Sequence, residues 1–477
     1  MSKKIPAELL RGLEKFTVRP ANRVFLGFDD HTGERRWTND LRDSLAIIGP
    51  PGYGKTSGLL IPSLLTWDGP VISTSTRGDL LRAAGDQRQR LAAPGGRVYV
   101  YDPFNSEPDL QTMGWTPHAG CLDASVAWRR ADLLTETSTQ GMPGSTHWAA
   151  GASRLLRGTF HAAALKGLPF AAVRQWLSTQ NLEDPVQILR TDKRAAPGWA
   201  DDLEGMEQVA ERERSSFYSS ALNSLNATAN PVVLTSTRLH TFDVDQFLRT
   251  KSTLFIVGPR HLQRAVKPMI VALVESITDR AAELAAAAGG VLDDPLLLAL
   301  DEIANIAPLP SLEGLVAEGG GRGIVTIWAA QSLAAMRGIY GRDGQEAILT
   351  ATTAKVIQGA MSNGDDLRNV STWAGEWREP SATFYSSGVD MARAQAMGGG
   401  ATSRADTERQ HSVGRQYRPV LPVEMIQQLP RFYGWLIYQS DRPVAVRTPP
   451  SGLVQGFADV QGWTPPTPAS APVKAAS

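Results

Sequence analysis

The stretch SLAIIGPPGYGKTSG, residues 44–58, decides how the rest of the chain is read. Its core, Gly49-x-x-x-x-Gly54-Lys55-Thr56, has the spacing of a phosphate-binding loop. Glycines let such a backbone curl until successive N–H groups point at nucleotide phosphates. The lysine then reaches the β- and γ-phosphates, and the hydroxyl sits on Mg²⁺. The candidate nucleotide-binding residues are therefore Gly49, Pro50, Pro51, Gly52, Tyr53, Gly54, Lys55, Thr56 and Ser57, with Thr56 also a magnesium ligand. An apolar run, SLAIIG (44–49), precedes the loop as a strand, and a helix follows it. Pro62 has no N–H to donate and should kink or shorten that helix.

Moving outward, short apolar runs bounded by Gly, Pro or polar residues read as buried parallel strands. They are GPVISTS (69–75), RVYVYD (97–102), TLFIVG (253–258), PLLLALD (295–301), GIVTIWA (323–329) and AKVIQG (354–359). Helical patterns such as 263–289 separate most of them, which predicts a doubly wound α/β sheet. The strand signal disappears between about 107 and 245, where the period is helical and aromatic residues are frequent. This predicts an all-α domain inserted between a first part (1–106) and a second part (246–448) of the nucleotide-binding domain. Residues 380–417 are polar and Gly-rich and read as a mobile loop, and the Pro/Ala/Ser-rich tail 449–477 reads as disordered.

A phosphate loop needs an acidic partner on a neighbouring strand. PLLLALDEIANI delivers Asp301 and Glu302 at a strand's carboxyl end, where α/β sheets bind ligands. Asp301 is the candidate magnesium ligand, and Glu302 the carboxylate that orients and polarises the attacking water. The adjacent carboxylate favours repeated ATP turnover over a slow switch. The next strand ends in Gln331, placed to touch both γ-phosphate and water and to report nucleotide state; the plainer alternative is a helix cap.

Composition bounds the partners. The 477 residues are enough for two or three domains, and Lys+Arg 48 balances Asp+Glu 48, so no globally basic surface is indicated. The single cysteine, Cys121, excludes an intramolecular disulfide or thiolate cluster. No apolar window reaches the ~18 residues a membrane span needs, so the chain is expected to be soluble and cytoplasmic, reaching the inner face of a membrane through partners.

From about residue 24 to residue 447 the chain resembles the TraG/TraD-like type IV coupling proteins, conjugative DNA-transfer ATPases related to FtsK-type translocases. The likeness lies in SLAIIGPPGYGKTSGLLIPSLLTWDGPVISTSTRGDLL, VYVYDPFN, LLLALDEIANIAPLPSLEGLVAEGGGRGIVTIWAAQSLAAMRGIYG and RPVLPVEMIQQLPRFYGWLIY. DGPVISTS and LDEIANIAPLPSL look most like the actinobacterial branch. The resemblance implies a RecA-like P-loop domain carrying the all-α substrate-recognition domain. It further implies a homo-hexamer around a channel that uses ATP to transfer single-stranded DNA with its relaxase to a type IV secretion channel; with no membrane helices to concentrate it, the isolated chain is expected to be mostly monomeric. Two other readings remain: a double-stranded DNA translocase of the FtsK type, and a nucleotide-gated adaptor for secreted protein cargo.

The chain also departs from the family. Many relatives have Asp-Pro-Lys-Gly after the second strand, where this chain has Ser75-Thr76-Arg77-Gly78. Relatives often carry an arginine early in the turn before the sensor strand, acting across the subunit boundary. Here only Arg322 is present, two residues late, as either that finger or a solvated turn residue; Arg77 is the reserve candidate. The usual transmembrane helices have no counterpart, which implies docking to a separate membrane subunit.

Overall fold

The computed structural model describes residues 7–13, 22–106, 113–139, 146–239, 242–359, 361, 363–384, 411–454 and 456–457. The strands in chain order are β1 (Phe25–Asp29), β2 (Arg35–Trp37), β3 (Leu45–Ile48), β4 (Val71–Ser75), β5 (Val98–Tyr101), β6 (Thr253–Val257), β7 (Leu296–Leu300), β8 (Ile324–Ala330), β9 (Ala354–Gln358), β10 (Glu376–Phe384), β11 (His411–Pro419), β12 (Tyr433–Tyr438) and β13 (Val444–Arg447). Eleven of them form one sheet in the order β2-β1-β13-β12-β9-β3-β8-β7-β4-β6-β5.

The run from β9 to β5 is parallel throughout. These strands are the seven apolar runs of the sequence, and six are buried on both faces as a helix-covered parallel sheet requires, while β9 has Lys355 part-exposed. Alternation divides their side chains between two cores. Ala46, Ile48, Leu296, Leu298 and Leu300 face one side, and Leu45, Ile47, Leu297 and Ala299 face the other. Beyond β9 the sheet continues with antiparallel strands, β12 on β9, then β13, β1 and β2.

Between β5 and β6 the described elements are helical, among them Ala124–Thr139, Thr146–Lys166, Phe170–Thr179 and Glu211–Ser224. These helices share one continuous core with a face of the sheet. Tyr99 of β5 meets Phe242 edge-on at 5.1 Å and Phe247 at 6.3 Å. The bridging element is the helix Gln263–Ala287, which follows β6. Its Asp279 pairs with Arg129 at 3.5 Å and its Arg280 with Asp245 at 2.6 Å.

Two expectations need correction. Part of the loop read at 380–417 is paired backbone: β10 and β11 form an antiparallel ribbon with Glu376 opposite Pro419 and Phe384 opposite His411. Residues 385–410 lie outside the described residues. Of the tail read as disordered from residue 449, residues 449–454 and 456–457 are described, and Phe457 is buried with its ring 5.9 Å from that of Phe25, while residues 458–477 lie outside the described residues. An aromatic side chain gains enough by burial to hold a Pro-rich segment down. Among the described residues no helix is long and apolar enough to cross a membrane.

Candidate nucleotide site

A parallel sheet sends the carboxyl ends of all its strands to one edge, and the loops leaving that edge make the site. The loop after β3 is the phosphate loop. Gly52 and Gly54 have φ of 80° and 103°, the region that only glycine enters freely. A Cβ on Gly54 would stand 2.6 Å from the Phe432 ring. After the loop the chain makes a π-helical turn, Thr56–Leu60, before a six-residue α-helix, Ile61–Thr66, that carries Pro62 near its start. The short helix is the outcome expected of that proline.

Lys55 is buried, and its Nζ donates to the carbonyls of Gly49 at 2.5 Å and Pro50 at 3.0 Å. Burial lowers its pKa, while the charges of Asp301 and Glu302 pull it back up. Thr56 Oγ1 donates to Asp301 Oδ2 at 2.7 Å, and the Glu302 N–H donates to Asp301 Oδ1 at 3.0 Å. Burial pushes the Asp301 carboxyl up to about 6, against the opposing effects of Thr56 and Lys55.

Glu302 stands at φ 48°, ψ 47°, left-handed backbone that costs a non-glycine residue on the order of 1 kcal/mol or more. This turn points its carboxylate back across the site. Oε1 accepts from Gln331 Nε2 at 3.0 Å and from Arg260 Nη2 at 3.0 Å. Oε2 is buried and has no hydrogen-bond partner. A curled glycine loop, a buried lysine and a hydroxyl–carboxylate pair fit a nucleotide phosphate with Mg²⁺. All the donors to the metal are hard oxygens, and Thr56 with Asp301 leaves room for phosphate and water.

The structure brings Lys55, Thr56, Asp301, Glu302 and Gln331 together and leaves Arg322 elsewhere. Arg322 lies just before β8, at the opposite end of that strand from Gln331, roughly 20 Å along it. Its carbonyl is tied to the Leu292 N–H, and its side chain is half exposed beside Glu318 at 3.4 Å. In the turn before it Gly319 and Gly320 are buried, with Gly320 against Arg42. Arg77 follows β4 on the nucleotide edge and is exposed.

Sequence reasoning missed three contributions. Arg260 follows β6, and its place just past the end of a parallel strand was the available signal. Arg431 donates through Nε and Nη2 to the Gly52 carbonyl at 2.8 and 2.6 Å. Phe432 donates its N–H to the Tyr53 carbonyl at 3.2 Å and accepts from the Thr448 N–H at 2.7 Å. Residues 431–448 thus clamp the outside of the phosphate loop, and no local pattern marks them for it.

Comparison with known proteins places the chain in a family. The family model for type IV secretory system conjugative DNA transfer matches residues 17–446. Protein VirD4 of Agrobacterium fabrum is 25% identical over 342 residues, covering 69% of this chain and 48% of VirD4. The chain therefore spans about half the length of the curated relatives it matches. Among solved structures, the bacterial conjugative coupling protein TrwBdeltaN70 in its unbound monoclinic form superposes with a TM-score of 0.66 at 18% identity, covering 93% of this chain and 90% of that one. The plasmid coupling protein TrwB in complex with ADP and Mg²⁺ gives 0.62 at 18% identity, covering 90% and 87%. At that identity the likeness establishes the fold. With the phosphate loop and its acidic partner in place on that fold, and a family match running through nearly the whole chain, this protein belongs to the type IV secretory system conjugative DNA transfer family.

Proposed function

We propose that this chain is an ATP-hydrolysing coupling motor that drives single-stranded DNA, with bound relaxase, toward a type IV secretion channel. The observation that carries the reading is Glu302. One carboxylate oxygen is held by two donors, and the other is buried and unpartnered, on a carboxylate whose charge acts on Lys55. That oxygen would take the proton of the attacking water once a nucleotide phosphate is on the loop. Lys55 would trade its two carbonyl acceptors for phosphate oxygens, and Thr56 with Asp301 would hold Mg²⁺. The bound metal supplies charge neutralisation for the phosphates. Gln331, hydrogen-bonded to Glu302, passes the state of the site into β8 and the helix after it.

A threading motor must surround its strand, so the active form is a ring, a homo-hexamer in this family's plan, with each site at a subunit boundary. The finger reaching a neighbour's site is Arg322, at the end of β8 away from its own nucleotide, with Arg77, exposed on the nucleotide edge, in reserve. The protein acts at the cytoplasmic face of the membrane through a channel or membrane subunit.

ATP hydrolysis and nucleotide binding, measured together, test the assignment. Lys55→Ala should lose both. Glu302→Gln should bind ATP with unchanged affinity and lose turnover by at least ~10²-fold. Equal turnover for wild type and Glu302→Gln would remove Glu302 from the chemistry. Stimulation by double-stranded DNA alone would replace the single-strand reading.

A further inference from the structure

The catalytic carboxylate is tied to an exposed side chain at the rim of the nucleotide edge. Arg260 reaches Glu302 Oε1 through Nη2 alone, at 3.0 Å, and its side chain is 63% exposed against 14% for Glu302. An exposed single-contact pair of this kind is weak and easily exchanged. A phosphate diester offers the same guanidinium two parallel acceptors and stronger, charge-assisted bonds.

The surroundings of Arg260 supply the means to bring such a phosphate close. From the end of β6 to residue 274 the chain contains no Asp or Glu but has Arg260, Arg264 and Lys267. Arg264 and Lys267 lie three apart on the first turns of the helix Gln263–Ala287, so they share a face, and Arg260 precedes Arg264 by four residues. Cations are disfavoured at a helix start, where the backbone dipole is positive, and no acidic residue offsets them there. Burial without a neighbouring carboxylate lowers the Lys267 pKa, a cost that a bound anion reverses. Pro268 also leaves the Arg264 carbonyl without its helical donor, so this first turn is loosely joined to the rest of the helix.

We propose that Arg260 is a DNA-responsive latch on Glu302. Backbone phosphates of single-stranded DNA bound along Arg264 and Lys267 draw the Arg260 guanidinium off Oε1, releasing the carboxylate from its fixed orientation so that it can turn Oε2 toward the water. Arg260 is thus a positioning residue, and it explains how one subunit could hydrolyse ATP only when a strand is present. The inference rests on the reading of Glu302 given above.

The experiment uses the full chain with (dT)30 as the probe, and poly-glutamate as a non-nucleic polyanion. Arg260→Ala should raise DNA-free ATP turnover about fivefold or more and abolish further stimulation by (dT)30, with nucleotide affinity unchanged. Arg260→Lys should restore part of the DNA response. In EDTA without nucleotide, Arg264→Ala/Lys267→Ala should weaken (dT)30 binding and flatten its dependence on log salt by about 0.7 per lost phosphate contact. Unchanged or lower DNA-free turnover in Arg260→Ala overturns the latch, as does equal stimulation by poly-glutamate. An unaltered salt slope overturns the basic strip. Should wild type show no ATP turnover, the functional reading fails. A thermal-stability cycle of Arg260→Ala with Glu302→Gln, run without nucleotide, then judges the pair by itself, and additive effects overturn it.

Discussion

Burial raises the Asp301 carboxyl to about 6, above its ordinary value of 3.8, despite the Thr56 hydroxyl and the Lys55 charge. A carboxylate held in this way is a cost to the fold that a bound cation recovers. Between about pH 4 and pH 6 the folded protein binds more protons at Asp301 than the unfolded chain does, so stability contributed here falls as pH rises through that window. Asp301→Asn removes the ionisation. In EDTA without nucleotide it should be more stable than wild type at pH 8, by up to on the order of 2 kcal/mol, with the difference shrinking toward pH 4. Denaturant titrations at the two pH values check this, and a difference independent of pH would mean that Asp301 does not carry the cost. The same variant should lose Mg²⁺-dependent nucleotide binding. Function and stability oppose each other at this residue.

The element that matters most for binding is the turn from the phosphate loop into its helix, and its shape depends on what lies behind it. Gly58 donates its N–H to the Gly54 carbonyl at 2.7 Å, closing the loop onto the π turn. A Cβ at Gly58 would stand 2.2 Å from the Thr448 carbonyl oxygen, a backbone atom that cannot swing aside. Gly58→Ala should therefore destabilise the protein by about 1–3 kcal/mol and weaken nucleotide binding, because β13 and the loop must separate. Gly338, within the helix Leu333–Ala351, has nothing within 4 Å of where a Cβ would stand. Gly338→Ala should stabilise by about 0.5–1 kcal/mol, through the smaller backbone entropy it leaves to the unfolded chain. Paired thermal melts separate the two effects; equal responses would show that contact with Thr448 is not what fixes Gly58.

At the scale of the molecule, the helical insertion and the sheet stand or fall together. The insertion contributes Phe242 and Phe247 to the cover over Tyr99, and its Arg129 and Asp245 pair with the bridging helix. Replacing residues 113–249 with a short linker would expose apolar residues of β5, β6 and the bridging helix to water. The excised protein should be insoluble or expanded, where an insertion with its own closed core would leave a folded remainder. Sedimentation together with near-ultraviolet circular dichroism of the excised protein decides between these. A cooperative, monodisperse product would show that the shared core is dispensable.

The sequence by itself determined the central parallel sheet, the phosphate loop and the Asp301–Glu302 pair. Strands buried on both faces must be written as short continuous apolar runs, and a loop that wraps phosphate must be written in glycines at fixed spacing. Both constraints are local, so both are legible in local pattern. The antiparallel strands β12, β13, β1 and β2 were settled by tertiary structure. β12 lies against β9 and β13 against β1 only once the edge of the parallel sheet exists to receive them. Ser44 and Thr353 meet at 2.9 Å although 309 positions separate them in the chain, and no spacing rule reaches that far. The same holds for the clamp of Arg431, Phe432 and Thr448 on the phosphate loop, and for Arg260 on Glu302. For Arg322 the sequence left a finger and a solvated turn residue open, and strand direction decided only that it stands at the far end of β8 from Gln331. Local pattern fixes what an element is, whereas the edge of the sheet at which a side chain arrives depends on the direction and order of strands, which packing alone decides.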